Sequence, residues 1–247
     1  MLKKGSTMHS LKTILTTCLL LTLNTTTKAY ITFNHPTEVL AIVKPYLPEN
    51  PIILEAGAYD GADSLIMKNY WPKAQLHTFE PIPQLYQQLV SKTETQEDMY
   101  AYKYALGDYI GIATFYVSEF AEKPGIPSAS SSLLRPKDHL IHAPHVLFNS
   151  EITVPIITID EWAKENGVKS IDFMWLDMQG YELNALKAAP QIMKTVKAIL
   201  TEVEFVEAYE GQYLFDDVKT WLEEQGFVMI ARNFYCNWFA DALFVRK

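Results

Sequence analysis

The residues best suited to chemistry lie between Glu55 and Gly61, in the stretch E-A-G-A-Y-D-G. It follows an apolar run, Ile52 to Leu54, which is typical of a buried strand, and it precedes an amphipathic segment. Gly57 allows the backbone to approach a ligand closely, and the N-terminus of the next helix offers free N–H groups. This arrangement predicts a nucleotide-binding turn, although a glycine turn that only joins a strand to a helix looks the same. Neither G-x-G-x-x-G nor G-x-x-x-x-G-K-[ST] is present.

Two later strand ends carry residues that suit a nucleoside. Glu80 follows the predicted strand Ala74 to Phe79, where an acid can accept hydrogen bonds from both hydroxyls of a ribose. A solvated surface glutamate is the alternative. Ala105 and Leu106 end the next strand, where a flat base could lie. Ligands of open α/β sheets bind at the carboxyl ends of the strands, so these residues should lie near the glycine turn.

Asp177 follows the buried run I-D-F-M-W-L and is the candidate catalytic residue. A carboxylate at this strand end can act as a general base or orient a substrate. It can equally cap the helix that follows. The sequence leaves both roles open.

Two other groups of residues raise the question of a metal. Glu202 and Glu204 point to one face of a strand and, with Asp177, could bind a divalent cation; a polar patch is the alternative. His139, His142 and His145 recur every three residues, but Pro144 interrupts a helical arrangement, which favours exposed histidines on a mobile loop. We therefore assign no metal ligand.

Strands and helices alternate along most of the chain, which predicts an α/β fold with a largely parallel sheet and helices on both faces. No second domain is visible, so residues 30–247 are expected to form a single domain. Residues 121–150 are rich in Pro, Ser and His without periodicity, and are expected to form a long loop or lid.

Composition narrows the possible partners and compartments. The formal net charge is −8, which argues against nucleic acid as a partner, and the two cysteines imply no disulfide framework. Residues 1–29 have a basic start and a short apolar centre, which favours a signal peptide over a membrane anchor or a cytosolic tail. Export or membrane association through these residues is therefore expected. A cytosolic tail would instead place the protein in the cytoplasm, so the location stays open, as does the oligomeric state.

Five motifs together resemble the FkbM family of S-adenosylmethionine-dependent methyltransferases: E-A-G-A-Y-D-G, T-F-E-P, A-L-G-D, Ser130 to Leu133, and L-D-M-Q-G-Y-E-L. The resemblance covers roughly residues 50–247 and implies a class I methyltransferase (Rossmann-like) sheet of seven strands, mostly parallel, with an antiparallel last strand. It implies S-adenosylmethionine as cofactor and a hydroxyl of a small molecule or glycan as acceptor. The cofactor-binding residues that it implies are Glu55, Gly57, Ala58, Tyr59, Gly61, Glu80, Ala105 and Leu106.

The sequence departs from the family pattern K-I-D-V-E-G-x-E at two positions. Trp175 replaces the lysine and Gln179 replaces the first glutamate, whereas Asp177, Gly180 and Glu182 remain. The change could remove an ion pair with little effect or alter the substrate pocket. A second hypothesis for function is a methyltransferase fold that has lost catalysis and serves as an exported or membrane-associated binding protein. A nicotinamide-dependent oxidoreductase is disfavoured by the missing G-x-G-x-x-G.

Overall fold

The structure, a computed structural model, describes residues 30–233 and 236–247. Its strands are β1 (Ile52–Ala56), β2 (Gln75–Phe79), β3 (Met99–Tyr102), β4 (Ala105–Leu106), β5 (Gly111–Phe120), β6 (Lys123–Pro127), β7 (Val146–Ile157), β8 (Phe173–Leu176), β9 (Ala198–Glu204), β10 (Phe227–Arg232) and β11 (Phe239–Arg246). Its helices are α1 (Pro36–Val43), α2 (Ala62–Tyr70), α3 (Pro83–Thr93), α4 (His139–His142), α5 (Ile159–Glu165), α6 (Glu182–Lys187) and α7 (Phe215–Glu224), with 3-10 turns at Lys44–Tyr46 and Ile192–Lys194.

The central sheet has seven strands in the order β3-β2-β1-β8-β9-β11-β10. Neighbouring strands from β3 to β9 are parallel, and β11 is antiparallel to both β9 and β10. Leu54 packs into one core with Trp162, and Ile53 packs into the core on the opposite face with Met67. Burial on both faces explains why β1 is a continuous apolar run. The predicted fold class is confirmed, including the antiparallel last strand.

A second sheet of four strands has the order β4-β7-β5-β6. It corrects the expectation of a long loop over residues 121–150, because that range contains β6, α4 and the start of β7. β6 is exposed along most of its length and so lacks the apolar alternation that marks a strand. The register of β5 with β7 pairs Gly111 with Ile156, a long-range contact that no local pattern reveals.

Within the described residues, the helices are too short or too polar to span a membrane. The predicted leader, residues 1–29, lies outside the described residues. Its cleavage and its role as an anchor stay predictions.

Candidate active site

A cavity of about 190 Å³ lies at the carboxyl ends of β1, β2, β4 and β8. This is the edge of a parallel sheet at which ligands bind. The lining residues are Ala56, Gly57, Ala58, Tyr59, Asp60, Ala62, Asp63, Phe79, Glu80, Pro81, Ile82, Leu85, Tyr104, Ala105, Leu106, Phe115, Ser128, Ala129, Ser131, Leu133, Asp177 and Met178. Among the predicted site residues, Gly57, Ala58, Tyr59, Glu80, Ala105, Leu106 and Asp177 meet here, whereas Glu55 and Gly61 are not part of the wall.

The two glycines of the first turn adopt left-handed conformations for different reasons. At Gly57 (φ +81°) a Cβ atom would lie 1.8 Å from the carbonyl oxygen of Asp177, so the turn and the end of β8 meet backbone to backbone. At Gly61 (φ +80°) a Cβ atom would lie 2.8 Å from Cδ1 of Leu89, so this glycine lets α2 pack against α3. A side chain at position 57 would therefore collide with protein before it reached a ligand.

Glu55 lies beneath the cavity rather than in its wall. Its side chain is buried, and the hydroxyl of Ser64 on α2 donates a hydrogen bond to it. Burial is the main cause that raises the pKa of Glu55 to about 8. The structure thus ties Glu55 to the start of α2.

The carboxylate of Glu80 is fixed by the backbone around it. One oxygen accepts a hydrogen bond from the N–H of Tyr59 (3.1 Å) and the other from the N–H of Ile82 (2.8 Å). Burial raises the pKa of Glu80 to about 8, against the lowering effect of these two bonds. The result is a preorganised acceptor in the cavity wall, with lone pairs left for a ligand.

The side of the cavity next to β4 is apolar. Ala105 belongs to a buried cluster with Ile82 and Phe115, against which Leu133 packs. Leu106 lines the same space. Such a surface can hold a flat aromatic base by area burial, without hydrogen bonds from side chains.

Asp177 lines the cavity beside the first turn. Its Oδ1 accepts a hydrogen bond from Nε2 of Gln179 (2.7 Å), which also donates to Oε1 of Glu202 (2.9 Å). Burial is the main cause that raises the pKa of Asp177 to about 6, and the bond from Gln179 lowers it. At neutral pH the ionised form of Asp177 is therefore the major form.

In the structure, the side chain of Asp177 does not cap α6. The N-cap of α6 is Tyr181, whose side chain makes no capping bond. The N–H of Met178 instead donates to Glu182, in the first turn of the helix (2.6 Å). The carboxylate of Asp177 is thereby left to the cavity and to Gln179.

The sequence did not predict two acids and two serines that line the cavity. Asp60 and Asp63 line it at the start of α2, and Ser128 and Ser131 line it from the segment after β6. The serine-rich motif Ser130 to Leu133 could have indicated this part of the cavity, but it lies within residues 121–150, for which a loop was expected. The charged residues that the structure places in the wall are all acidic, namely Asp60, Asp63, Glu80 and Asp177.

The histidines and the acids of β9 form no metal site in the part of the chain that the structure describes. No group of three or more His, Cys, Asp or Glu residues there has an arrangement that could bind a metal ion. His139 is buried among the rings of Phe148, Tyr209 and Trp238, whereas His142 is exposed. Burial lowers the pKa of His139 to about 4, so this ring is neutral at physiological pH.

The sheet order and the cavity at its carboxyl edge define the class I methyltransferase architecture. The sequence profile of the Methyltransferase FkbM domain matches residues 55–229. The chain belongs to the FkbM methyltransferase family, and S-adenosylmethionine is its methyl donor. The predicted family and cofactor are confirmed, and the hypothesis of an inactive binding protein is not favoured.

Relatives agree with this assignment. The chain is 32% identical over 163 residues to "2-O-methyltransferase NoeI" of Sinorhizobium fredii (strain NBRC 101917 / NGR234), which covers 66% of this chain and 67% of that protein. It is 25% identical over 205 residues to "Methyltransferase sdnD" of Sordaria araneosa, with 73% and 75% covered. The crystal structure of methyltransferase FkbM from Methylobacillus flagellatus KT matches with a TM-score of 0.51 at 12% identity, over 79% of this chain and 44% of that one. This last likeness concerns the fold alone.

Proposed function

We propose that the protein transfers a methyl group from S-adenosylmethionine to a hydroxyl oxygen of a sugar or another small molecule. In this proposal Asp177 is the general base or orients the accepting hydroxyl. The observation that carries the proposal is the position of Asp177, which lines the cavity and whose backbone carbonyl meets the Gly57 turn.

The residues of the cavity fit the cofactor. Glu80 would accept hydrogen bonds from the ribose hydroxyls, Ala105 and Leu106 would flank the adenine, and the turn that contains Gly57 would contact the methionine part. The acidic wall suits the positive sulfonium by Coulomb attraction. When bound, S-adenosylmethionine supplies a methyl group on a positively charged sulfur, which is already activated for in-line displacement.

The chain itself must position the acceptor and receive its proton. Alignment of the two reactants can be worth about 7–11 kcal/mol, and a general base contributes roughly 10²–10⁴-fold. A base works best when its pKa lies near the working pH, and burial brings the pKa of Asp177 to about 6. An acceptor without negative charge fits best, because the charged residues of the wall are acidic. Support for oxygen as the accepting atom comes from the relative named as a 2-O-methyltransferase.

The test measures transfer of labelled methyl from S-adenosylmethionine to glycosides and polyols with free hydroxyls. We expect Asp177→Asn to lower turnover by roughly 10²-fold or more. Its affinity for S-adenosylhomocysteine, which lacks the charged sulfonium, should stay nearly unchanged. Asp160→Asn is the matched control, since the Asp160 carboxylate accepts backbone N–H bonds away from the cavity. Wild-type turnover in Asp177→Asn would contradict the role of Asp177, and transfer only to amines would contradict O-methylation.

A further inference from the structure

Gln179 occupies an unusual place behind the cavity wall. Its backbone is left-handed (φ +54°), and its side chain is buried. The hydroxyl of Ser132 donates to its carbonyl oxygen at 2.7 Å. A left-handed conformation in a non-glycine residue costs on the order of 1–2 kcal/mol, so the contacts around Gln179 must hold it there.

The side-chain amide of Gln179 connects three groups. Its Nε2 donates to Asp177 (2.7 Å) and to Glu202 (2.9 Å), which uses both amide protons. Its Oε1 lies 2.7 Å from the hydroxyl of Tyr209, which also lies 2.8 Å from the carbonyl oxygen of Ser130. The amide can therefore bond the carboxyl groups of Asp177 and Glu202 at once, without itself taking up a proton.

The surroundings of this amide are strongly acidic. Besides its direct partners Glu202 and Tyr209, the acids that act electrostatically on Asp177 or Glu202 come from α2, α6, β9 and β11: Asp63, Glu182, Glu204 and Asp241. Within the described part of the chain, no ion pair includes these carboxylates or Asp177. Neutral donors such as the Gln179 amide are thus what stabilises negative charge on Asp177.

We propose that Gln179 is a positioning residue, which holds the carboxylate of Asp177 at the cavity wall and keeps it ionised beside Glu202. The inference rests on the proposed function, in which Asp177 faces the methyl donor. A glutamate at position 179 would bring a third carboxylate within hydrogen-bond distance of the other two. Such a glutamate could replace the two hydrogen bonds of the Gln179 amide only if protons were shared among the three carboxyl groups. Asp177 would then become ionised only at a higher pH than in the wild type.

The charge of Asp177 can be read without an acceptor, by comparing two ligands. S-adenosylmethionine and S-adenosylhomocysteine differ only in the methyl group and the positive charge on sulfur. The ratio of their dissociation constants therefore isolates the contribution of that charge. An opposite charge within about 4–6 Å lowers the pKa of an aspartate by 1–3 units, and each unit corresponds to a tenfold change in relative affinity.

The experiment is calorimetric titration of the full chain with each ligand from pH 4.5 to 9. In the wild type we expect the preference for S-adenosylmethionine to rise about tenfold or more with pH and to level off near pH 6 to 7. In Gln179→Glu the plateau should begin at least about one pH unit higher. In Asp177→Asn the preference for S-adenosylmethionine should no longer rise in this way with pH. Only the part of the preference that comes from Glu80 and the other acids of the cavity wall should remain. Gln88→Glu, which adds the same charge at an exposed position of α3, is the matched control.

The outcomes separate this inference from the function on which it rests. If the wild type binds neither ligand, the proposed function fails. If the wild type binds both, and the profiles of Gln179→Glu and the wild type coincide, the role of Gln179 is refuted. If Gln179→Glu does not fold, Tyr209→Phe decides, because it removes the hydroxyl that fixes the amide. We expect a smaller upward shift of the plateau in Tyr209→Phe, and no shift there would overturn the proposal.

Discussion

Replacing Glu80 with glutamine tests the cofactor site with little change of shape. The two carboxylate oxygens each accept one backbone N–H, from Tyr59 and Ile82. The amide of glutamine can replace only one of these acceptors, and its NH₂ group would face the other N–H. An unsatisfied buried donor costs about 1–3 kcal/mol, so we expect the free energy of unfolding to fall by that amount.

Glu80→Gln should also weaken binding of the cofactor, because it removes a charged hydrogen-bond acceptor for the ribose. Above about pH 8, where Glu80 is ionised because burial raises its pKa to about 8, a hydrogen bond from a ribose hydroxyl to this charged acceptor contributes about 1.5–3 kcal/mol. At 1.4 kcal/mol per tenfold change, the dissociation constant should rise about 10- to 100-fold. Because both ligands carry the ribose, S-adenosylmethionine and S-adenosylhomocysteine should weaken by similar factors.

Calorimetric titration with both ligands provides the measurement. Glu119→Gln is the matched control, since the Glu119 carboxylate also accepts a backbone N–H, from Gly125, but lies outside the cavity that contains Glu80. Unchanged affinity for both ligands in Glu80→Gln would refute the ribose contact. A loss confined to S-adenosylmethionine would also refute it, because it would assign Glu80 to the sulfonium.

Two further predictions concern stability. Gly57→Ala should lose about 2 kcal/mol or more, from left-handed strain and from overlap with the Asp177 carbonyl, and should melt at least about 4 °C lower. Gly167 is also left-handed (φ +67°) but has open space around it, so Gly167→Ala should lose only the stability that left-handed strain costs. Equal losses of stability in Gly57→Ala and Gly167→Ala would contradict the backbone contact at Gly57. From pH 6.5 to 8 the free energy of unfolding should fall, because burial raises the pKa of Glu55 and Glu80 to about 8, so unfolding releases their protons. Glu55→Gln should reduce this fall by up to about 2 kcal/mol in denaturant titrations at the two pH values; an identical fall would show that Glu55 is ionised in the folded protein.

The sequence predicts the central sheet well because its strands are short apolar runs buried on both faces. β1 illustrates this, since Ile53 and Leu54 pack into different cores. The ends of such strands are visible as acids and glycines, which is why Glu80 and Asp177 could be named in advance. Glu80 and Asp177 lie at the same edge of the sheet because the strands that they follow are parallel.

Other features depend on contacts that a local pattern does not contain. β6 is exposed and pairs with β5 through an irregular register, so its residues lack a strand pattern. Gln179 lies two residues from Asp177 in sequence, but its partners Glu202 and Tyr209 are brought to it only by the fold. The sequence likewise does not reveal that Gly57 is needed for the approach of the Asp177 backbone.

The most direct test of the central claim is a crystal structure of the full chain with S-adenosylhomocysteine. We expect the ribose hydroxyls to contact the carboxylate of Glu80, the adenine to lie against Ala105 and Leu106, and the sulfur to face Asp177. A nucleoside bound outside this cavity, or a sulfur directed away from Asp177, would contradict the account.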